Sequence, residues 1–415
     1  MNRTRQVKEL ETIKQYEKHK VDKHLKIIEV GSKTCKLFCY EEIDIPVFEY
    51  ADLFVKPLGE TSDIVTKENY IFKDRSDNLL MLRPEGTTSV VRAVINAGFT
   101  QNLPQRFFYS GSMFRYERPQ KGRLRQFNQL GAELIGVDNF YGDVEVINIA
   151  YNFLKNLNLM KNVTLYVNSL GDEKSRKKFR SELVLYLEKY ESDLSSDSKI
   201  RLKKNPLRIL DSKNKNDQIL LKNAPKYLDY LNEDSKLYFE NVCECLKKLG
   251  IPFEIDEKLV RGLDYYSHTT FEFKTDLLGA QDTILAGGRY DGLSKMISDF
   301  RLPGVGWAAG LERLALMINS EYDSSPEVTL IAQSNELNSK ILNYHQMLID
   351  KGIKTEMIYS GNLNKKLKRA NKTSSKFAII IGENELENDI VQLKNLHNGL
   401  QSSLKFKNVF REIMK

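Results

Sequence analysis

Two strand-like segments joined by a short basic loop constrain the fold of this sequence more than any other feature. The segments are RFFYSGSMFRYE, which begins at Arg106, and QFNQLGAELIG, which begins at Gln126. Pro119 and Gly122 punctuate the loop RPQKGRLR between them, as is typical of a turn. Two adjacent strands joined by so short a loop pair as an antiparallel hairpin. The sequence therefore predicts an antiparallel sheet with a basic tip.

Side-chain alternation predicts that one face of this hairpin meets a core and the other a ligand. Alternate residues of the second strand are small or apolar and can pack on a core: Leu130, Ala132 and Leu134. The opposite face carries Phe127, Gln129 and Glu133, and the first strand places Arg115 over the same surface. A polar sheet face below an arginine is typical of the floor of a ligand-binding site. An antiparallel sheet with one solvated face has the same pattern.

The hairpin loop and its flanks need an anionic partner or solvent, because cations are dense there. Within the eleven residues from Arg115 to Arg125 the chain carries Arg115, Arg118, Lys121, Arg123 and Arg125. A nucleotide triphosphate, a nucleic-acid backbone and bulk water would each satisfy such a run, and solvation is the commonest case. The formal charge of +7 is compatible with a polyanionic partner without identifying one.

Further groups of the same kind lie elsewhere in the chain. Arg261 stands in LVRGLDYY, and Arg313 follows the glycines of GVGWAAGLERL. Guanidinium groups bind phosphate and carboxylate through paired hydrogen bonds, so arginines beside glycines favour anion binding. Glu85 and Thr87 in LRPEGT precede a helical run, where they could also be no more than a helix start. Positioning and charge stabilisation by arginines suit transfer at phosphorus.

Motifs and composition exclude several other classes. The sequence contains no Walker-type phosphate loop, dinucleotide fingerprint, G-x-S-x-G or H-E-x-x-H, and only five histidines. The cysteine pairs Cys35/Cys39 and Cys243/Cys245 are too few for a disulfide framework, and a zinc site would lack histidines at ligand spacing. Without a run of about eighteen apolar residues or a secretory signal, the chain is expected to be soluble and cytoplasmic.

The remaining segments predict the domain organisation. EEIDIPVFEY is predicted as a strand whose Pro46 indicates an edge or bulge. Helical periodicity between about 171 and 250 predicts an inserted helical module. After the linker SEYDSSPE, alternating strand and helix signals predict a small α/β domain with a mainly parallel sheet.

Taken together, these segments resemble the class II aminoacyl-tRNA synthetases, and among them the histidyl-tRNA synthetase family. FRYERPQKGRLRQFNQLGAE resembles motif 2, GVGWAAGLERL resembles motif 3, and EEIDIPVFE carries the proline of motif 1. LRPEGT and LVRGLDYY are similar to signatures of the histidine enzyme. The resemblance implies an α+β catalytic domain built on an antiparallel sheet flanked by helices at 1–325, with the helical insertion at about 171–250. It further implies a C-terminal α/β anticodon-binding domain at 326–415.

The resemblance also implies a role for individual residues. Histidine would be bound by Glu85, Thr87, Gln129, Glu133, Arg261, Tyr265 and Tyr266. ATP would be bound by Arg115, Arg123, Phe127 and Arg313, and the catalytic groups would be Arg261, Arg115 and Arg313. Transfer RNA would be bound by Gln120, Lys121 and Arg123 at the hairpin tip and by Lys365, Lys366 and Arg369 near the C-terminus.

The implied activity is histidine–tRNA ligation: ATP activates L-histidine to histidyl-adenylate, which is then transferred to the 3′ end of tRNA(His). Mg²⁺ would enter with ATP, without a resident metal. A homodimer formed through motif 1 is expected, with neither a membrane nor DNA as partner. Two alternatives stand beside this activity: a catalytically inactive paralogue such as the regulatory subunit of ATP phosphoribosyltransferase, and a plain RNA-binding protein. The inactive paralogues typically lose the motif arginines and the anticodon-binding domain, both of which are present here.

Overall fold

The structure is a computed structural model that describes residues 18–59, 62–118, 122–210, 212, 214–260, 265–279, 282–319 and 325–413. The chain divides into two compact units, Met1–Tyr322 and Asp323–Lys415.

The first unit contains both helices and strands. Its helices are α1 (Lys18–Leu37), α2 (Asp52–Leu58), α3 (Asp63–Thr66), α4 (Thr87–Asn96), α5 (Phe140–Asn156), α6 (Glu173–Glu188), α7 (Ser196–Lys204), α8 (Lys215–Leu221), α9 (Glu233–Lys248), α10 (Leu293–Ile297) and α11 (Leu311–Met317). Its strands are β1 (Glu41–Glu42), β2 (Phe48–Tyr50), β3 (Ile71–Lys73), β4 (Leu79–Leu82), β5 (Gln105–Phe114), β6 (Gln126–Ile135), β7 (Thr164–Ser169), β8 (Glu254–Ile255), β9 (Ser267–Lys274), β10 (Thr283–Arg289) and β11 (Gly304–Gly310).

Within the described residues, the main sheet of this unit has eight strands in the order β1-β5-β6-β11-β10-β9-β7-β8. The pairings from β5 through to β7 are antiparallel, and only the short edge strands β1 and β8 pair in parallel. Strands β5 and β6 form the predicted hairpin, with Gly111 opposite Gln129 and Phe107 opposite Glu133. The antiparallel sheet expected from the hairpin is therefore confirmed.

Helices cover the apolar face of this sheet, which the alternation predicted to pack on a core. Leu130, Ala132 and Leu134 are fully buried in one core. Ile27 from α1 and Phe153 from α5 belong to the same core, where the Phe153 ring stacks on Trp307 at 5.7 Å. Packing against two helices leaves the opposite face of β6 free to line the site.

The segment EEIDIPVFEY forms two short strands in two different sheets, so its prediction as one strand was wrong. β1 pairs with β5, whereas β2 pairs with β4 in a three-stranded sheet. Pro46 has no amide hydrogen to offer a ladder. The buried guanidinium of Arg83 donates to the carbonyl oxygens of Ile45 and Pro46, and its backbone N–H donates to Val47. Arg83 thus satisfies the backbone where the strand breaks.

The helices α6 to α9 lie within the segment predicted as a helical insertion. Each begins where a side-chain oxygen accepts a backbone N–H of the first turn: Asp172, Ser195, Asn214 and Asn232 respectively. Asp217 in α8 is fully buried and links this helix to α7 and to the segment between them. Its carboxylate accepts the hydroxyls of Ser198 at 2.6 Å and Ser212 at 2.5 Å, and both the hydroxyl and the amide of Ser195.

We expect Asp217→Ala to lower the free energy of unfolding by about 3 kcal/mol, because several buried donors lose their charged acceptor. Burial raises the pKa of Asp217, but the Ser195 amide and the serine hydroxyls outweigh it and the net pKa is lowered. The stabilisation is therefore complete above the unfolded pKa of about 3.9 and is lost as the pH falls through the lower folded value. Urea unfolding at pH 7 and pH 3 measures both effects. Equal losses at the two pH values would contradict this role for the carboxylate.

The second unit contains a five-stranded sheet in the order β13-β12-β14-β15-β16. Its strands are β12 (Val328–Ala332), β13 (Thr355–Met357), β14 (Phe377–Ile381), β15 (Ile390–Asn395) and β16 (Gln401–Lys405). Its helices are α12 (Leu342–Asp350), α13 (Leu363–Lys372), α14 (Glu383–Glu387) and α15 (Phe406–Ile413).

The α/β character of the second unit is confirmed, but the prediction of a mainly parallel sheet was wrong. β12 pairs in parallel with β13 and β14, whereas β14–β15 and β15–β16 are antiparallel. A tight turn between Asn395 and Leu400 joins β15 to β16. A connection this short reverses the chain, and parallel pairing would need a crossover of a dozen or more residues.

Candidate functional site

An open cavity of about 510 Å³ lies over the polar face of the main sheet. Its volume falls in the usual range for small-molecule sites. The predicted residues that line it are Glu85, Thr87, Arg115, Arg123, Phe127, Gln129, Tyr265, Tyr266 and Arg313. The structure therefore brings these positions together from β6, the flanks of β5, β9 and β11, and the start of α4. Arg261, Gln120 and Lys121 lie outside the described residues.

Glu85 forms one wall of the cavity and also starts a helix. Its carboxylate accepts the backbone N–H groups of Thr87 at 2.7 Å and Thr88 at 3.0 Å, at the N-terminus of α4. The helix-start role that the sequence left open is thus present. Two amide donors at the N-terminus of the helix hold this carboxyl group at the cavity wall. That arrangement suits a cationic group of a ligand.

Glu133 lies behind this wall and does not itself line the cavity. It is fully buried, and its two carboxyl oxygens accept the hydroxyls of Thr87 at 2.7 Å and Tyr290 at 2.5 Å. Burial raises the pKa of Glu133 to about 8, although both hydroxyl donors act in the opposite direction. Gly306 stands opposite Glu133 on β11, and only a residue without a side chain leaves room for the carboxyl there.

Tyrosines surround the end of the cavity where Glu85 and Glu133 lie. Tyr265 and Tyr266 line the cavity with their rings 4.8 Å apart, and Tyr109 is buried beside Glu133. Burial, together with the charge of Glu85, raises the pKa of Tyr265 well above its ordinary range. The phenol of Tyr265 therefore stays neutral and can donate a hydrogen bond.

Arginines crowd the other end of the cavity. The Arg115 guanidinium donates to the Pro84 carbonyl at 2.9 Å and lies 5.2 Å from the centre of the Phe127 ring. Glu117 forms an ion pair with Arg123 at 3.0 Å and lies 4.0 Å from Arg115. This shared carboxylate was not predicted as a site residue, although it lies two residues from Arg115 in the segment that follows β5.

Arg313 completes the positive cluster from the first turn of α11. Its guanidinium donates to the backbone carbonyl oxygens of Gly122 and Thr283. Burial lowers the pKa of Arg313, and the neighbouring charges of Arg123 and Arg115 lower it further. Like charges held this close are stabilised by a polyanion, so this end of the cavity suits a triphosphate.

Sequence reasoning missed several further residues at the cavity and behind it. Glu272, Lys274, Asp282, Thr283 and Glu312 line the cavity, and Tyr290 supports it from behind. Glu312 accepts the backbone and side-chain N–H groups of Asn128, which anchors β6 to α11. Period-two alternation on β9 places Glu272 and Lys274 on one face, and that signal could have identified them.

Among the described residues, no group of three or more His, Cys, Asp or Glu side chains could hold a metal ion. Cys35 is buried and Cys39 is exposed, so this pair does not share one environment. Glu272 and Asp282 border the cavity, which fits Mg²⁺ entering with phosphate oxygens and one or two carboxylates rather than a preformed cage.

In the second unit, the structure contradicts one predicted tRNA contact. Lys366 is fully buried and its ammonium donates to the Ala332 carbonyl at 2.9 Å. A sequestered ammonium cannot reach a phosphate, so Lys366 was wrongly placed in the tRNA-binding set. Lys365 and Arg369 are exposed on the same helix, where Arg369 also pairs with Glu356 at 2.9 Å.

An antiparallel sheet that carries a polar pocket and an arginine cluster on one face, with helices behind it, defines a class II aminoacyl-tRNA synthetase fold. Comparison with known proteins specifies the family. The family described as histidyl-tRNA synthetase matches residues 18–314, and the anticodon binding domain family matches residues 327–415. The chain belongs to the histidyl-tRNA synthetase family.

Individual relatives agree with this assignment. A histidine–tRNA ligase of Rhodospirillum rubrum is 47% identical over 382 residues, which cover 92% of each chain. A histidine–tRNA ligase of Gluconobacter oxydans is 44% identical with the same coverage of 92% of each chain. The crystal structure of the apo histidyl-tRNA synthetase of S. aureus matches with a TM-score of 0.79 and 33% identity, over 96% of this chain and 97% of that one. Among the described residues, no helix is long and apolar enough to cross a membrane.

Proposed function

We propose that this chain is a histidine–tRNA ligase that joins L-histidine to the 3′ end of tRNA(His) at the expense of ATP. The observation that carries the proposal is the division of one cavity into two ends. The acidic and phenolic end contains Glu85, Thr87 and Tyr266, and the cationic end contains Arg115 and Arg313. The first end suits an amino acid with a polar ring, and the second suits a triphosphate.

The acidic end accounts for selection of histidine. Glu85, Thr87 and Gln129 would hold the α-amino group, and Glu133 with Tyr266 would bond the imidazole. A pocket that pairs both ring nitrogens rejects analogues that cannot pair, because its own buried polar groups would be left without partners. The burial of Glu133 supports this selection, since an unpaired group costs most where water is excluded.

The cationic end accounts for activation. The carboxylate of histidine attacks the α-phosphorus in line, a bond to oxygen forms there, and pyrophosphate leaves. Arg115 would contact the α-phosphate and Arg313 the γ-phosphate, while Arg261 would bridge the substrate carboxylate and the α-phosphate. Phe127 and Arg123 would complete the ATP site. Cations already fixed by protein partners, as Arg115 and Arg313 are, stabilise developing charge without reorganisation.

Mg²⁺ is proposed to accompany ATP at this end. Glu272 and Asp282 would hold it together with phosphate oxygens. When bound, it would neutralise charge on the triphosphate. The chain's own groups hold the two reactants close together, which also contributes to the rate gain in such transfers.

Other partners are inferred from the sequence resemblance and from exposed residues in each unit. The hairpin tip with Gln120, Lys121 and Arg123 would contact the acceptor end of the tRNA, and Lys365 with Arg369 would contact its anticodon arm. The three-stranded sheet β2-β4-β3 exposes Phe48, Tyr50, Phe72 and Leu79. Such an apolar patch supports a homodimer formed through this sheet. We assign catalysis to residues 1–325 and anticodon binding to 326–415, and a cytoplasmic location.

The regulatory alternative has less support. A paralogue without catalysis has no need of the arginine cluster, yet Arg115 and Arg313 both line the cavity. The relatives described above are named as histidine–tRNA ligases, and the match to the anticodon-binding family extends to residue 415.

We expect the purified protein to exchange labelled pyrophosphate into ATP when L-histidine is supplied, and not with any other amino acid. Reversible adenylate formation requires both ends of the cavity to be filled, so exchange reports them together. Folded protein that shows no histidine-dependent exchange would favour the regulatory paralogue instead.

A further inference from the structure

Tyr290 is a buried tyrosine that reaches the site only through another residue. It follows β10 directly and is 2% exposed. Its phenol donates to Oε2 of Glu133 at 2.5 Å. Because Tyr290 does not line the cavity, any effect it has on a ligand passes through Glu133.

Packing aims the phenol of Tyr290 at Glu133. The backbone N–H of Tyr290 donates to the Gly304 carbonyl at 2.7 Å. A Cβ atom on Gly304 would lie 2.3 Å from the Tyr290 ring, so the ring occupies space that a side chain on β11 would fill. The ring of Tyr265 meets it edge-on at 6.0 Å. These contacts leave the ring one orientation.

The two oxygens of Glu133 are held from opposite directions. Thr87 lines the cavity and donates to Oε1, whereas Tyr290 donates to Oε2 from behind. A carboxylate oxygen has two acceptor positions, so Oε1 keeps one for a further donor. Oε1 is therefore the oxygen of Glu133 whose hydrogen-bond partner, Thr87, belongs to the cavity wall.

The ionisable groups described around Glu133 do not stabilise its negative charge by a charge of their own. Glu85, Tyr109 and Tyr265 face it from the neighbouring elements, together with Tyr290. All of these groups are acidic, and none adds a positive charge. Among the described residues, the hydroxyl donors therefore favour the ionised form of Glu133, and Tyr290 is one of them.

We infer that Tyr290 is a positioning residue for histidine recognition, which fixes the Glu133 carboxylate so that Oε1 accepts an imidazole N–H. The inference rests on the proposed function and deepens it. Burial already raises the pKa of Glu133 to about 8, so near neutral pH the ionised acceptor depends on its hydroxyl donors. Removing one donor raises that pKa further.

The test is Tyr290→Phe, which removes one oxygen and keeps the ring. At pH 7 we expect kcat/KM for histidine in the exchange reaction to fall about tenfold, through KM for histidine, with KM for ATP unchanged. Wild-type kcat/KM should rise with pH as Glu133 ionises. This rising limb of the pH profile should lie about one pH unit higher in the variant. Any pH dependence of kcat/KM that arises from ionisation of free histidine is the same for both proteins.

Two further variants make the test decisive. Tyr227→Phe removes the same atom from a buried tyrosine of the insertion and should leave the profile unchanged. Glu133→Gln should abolish the limb, and adding Tyr290→Phe to it should cause little further loss. A Tyr290→Phe profile parallel to that of wild type, lowered equally at every pH, would overturn the inference.

Each result is assigned to one hypothesis. Thermal unfolding shows whether Tyr290→Phe folds. If it does not, the profile of Glu133→Gln decides: a rising limb that persists overturns the inference, and a rising limb that is lost supports it. If wild-type protein shows no histidine-dependent exchange at all, the proposed function fails instead. Exchange in wild type with an unchanged Tyr290→Phe profile rejects only the role of Tyr290.

Discussion

Arg115→Ala is expected to lower the rate of histidine-dependent pyrophosphate exchange by about 10²–10³-fold. Removal of a single preorganised donor typically has an effect of this size. Arg115 is held between the Pro84 carbonyl and the Phe127 ring, so its guanidinium is fixed before ATP arrives. In the proposed mechanism, its loss removes charge stabilisation at the phosphorus under attack. Exchange kinetics at saturating histidine and ATP measure the effect on kcat.

The matched control is Arg180→Ala, which removes an exposed arginine from α6. Exchange should stay within about twofold of wild type, since a solvated surface arginine contributes little. Thermal unfolding of both variants separates loss of catalysis from loss of structure. An Arg115→Ala protein that is folded and retains more than a tenth of the wild-type rate would contradict the proposed contact with the α-phosphate.

Gly306→Ala should abolish histidine activation and destabilise the fold by about 3 kcal/mol, the upper range for overpacking a core. The added Cβ would lie 1.6 Å from Oε2 of Glu133 and 2.7 Å from the Ala132 carbonyl oxygen. The carboxyl would have to leave the hydroxyls of Thr87 and Tyr290 to make room. Urea unfolding measures the loss of stability, and pyrophosphate exchange measures the loss of activation.

Gly292→Ala supplies the comparison for this glycine substitution. A Cβ on Gly292 would meet nothing within 4 Å, and its φ of −83° is accessible to alanine. We expect its free energy of unfolding to stay within about 0.5 kcal/mol of wild type, with activity retained. If Gly306→Ala matched Gly292→Ala in both measurements, Glu133 would have far more freedom than its contacts imply.

Local sequence patterns were sufficient for the elements that depend on neighbouring residues. The hairpin of β5 and β6 followed from alternation and a short loop, and the buried face of Leu130 and Leu134 followed from the same period. Both features are local, because alternate side chains point to opposite faces in any strand. The resemblance to the synthetase motifs then placed Arg115 and Arg313 at one site, and both line the cavity.

Features that depend on distant segments escaped the sequence analysis. The strand break at Pro46 could be anticipated. The division of the segment EEIDIPVFEY between two sheets depends on Arg83, which lies 38 residues from Ile45 in the chain. The burial of Lys366, a residue of helix α13, depends on the Ala332 carbonyl at the end of strand β12. A cationic helix has the same pattern whether one lysine points inward or outward.

The sequence by itself determined the antiparallel core, the family and the main cationic groups, because each is encoded in short segments of strict spacing. Only the tertiary structure decided how Glu133 is held. Thr87, Tyr290 and Gly306 come from three separate segments and meet at one buried carboxyl. No local period links them, since their relation is set by the pairing of β6 with β11 and by the packing of α4 and the end of β10 around it.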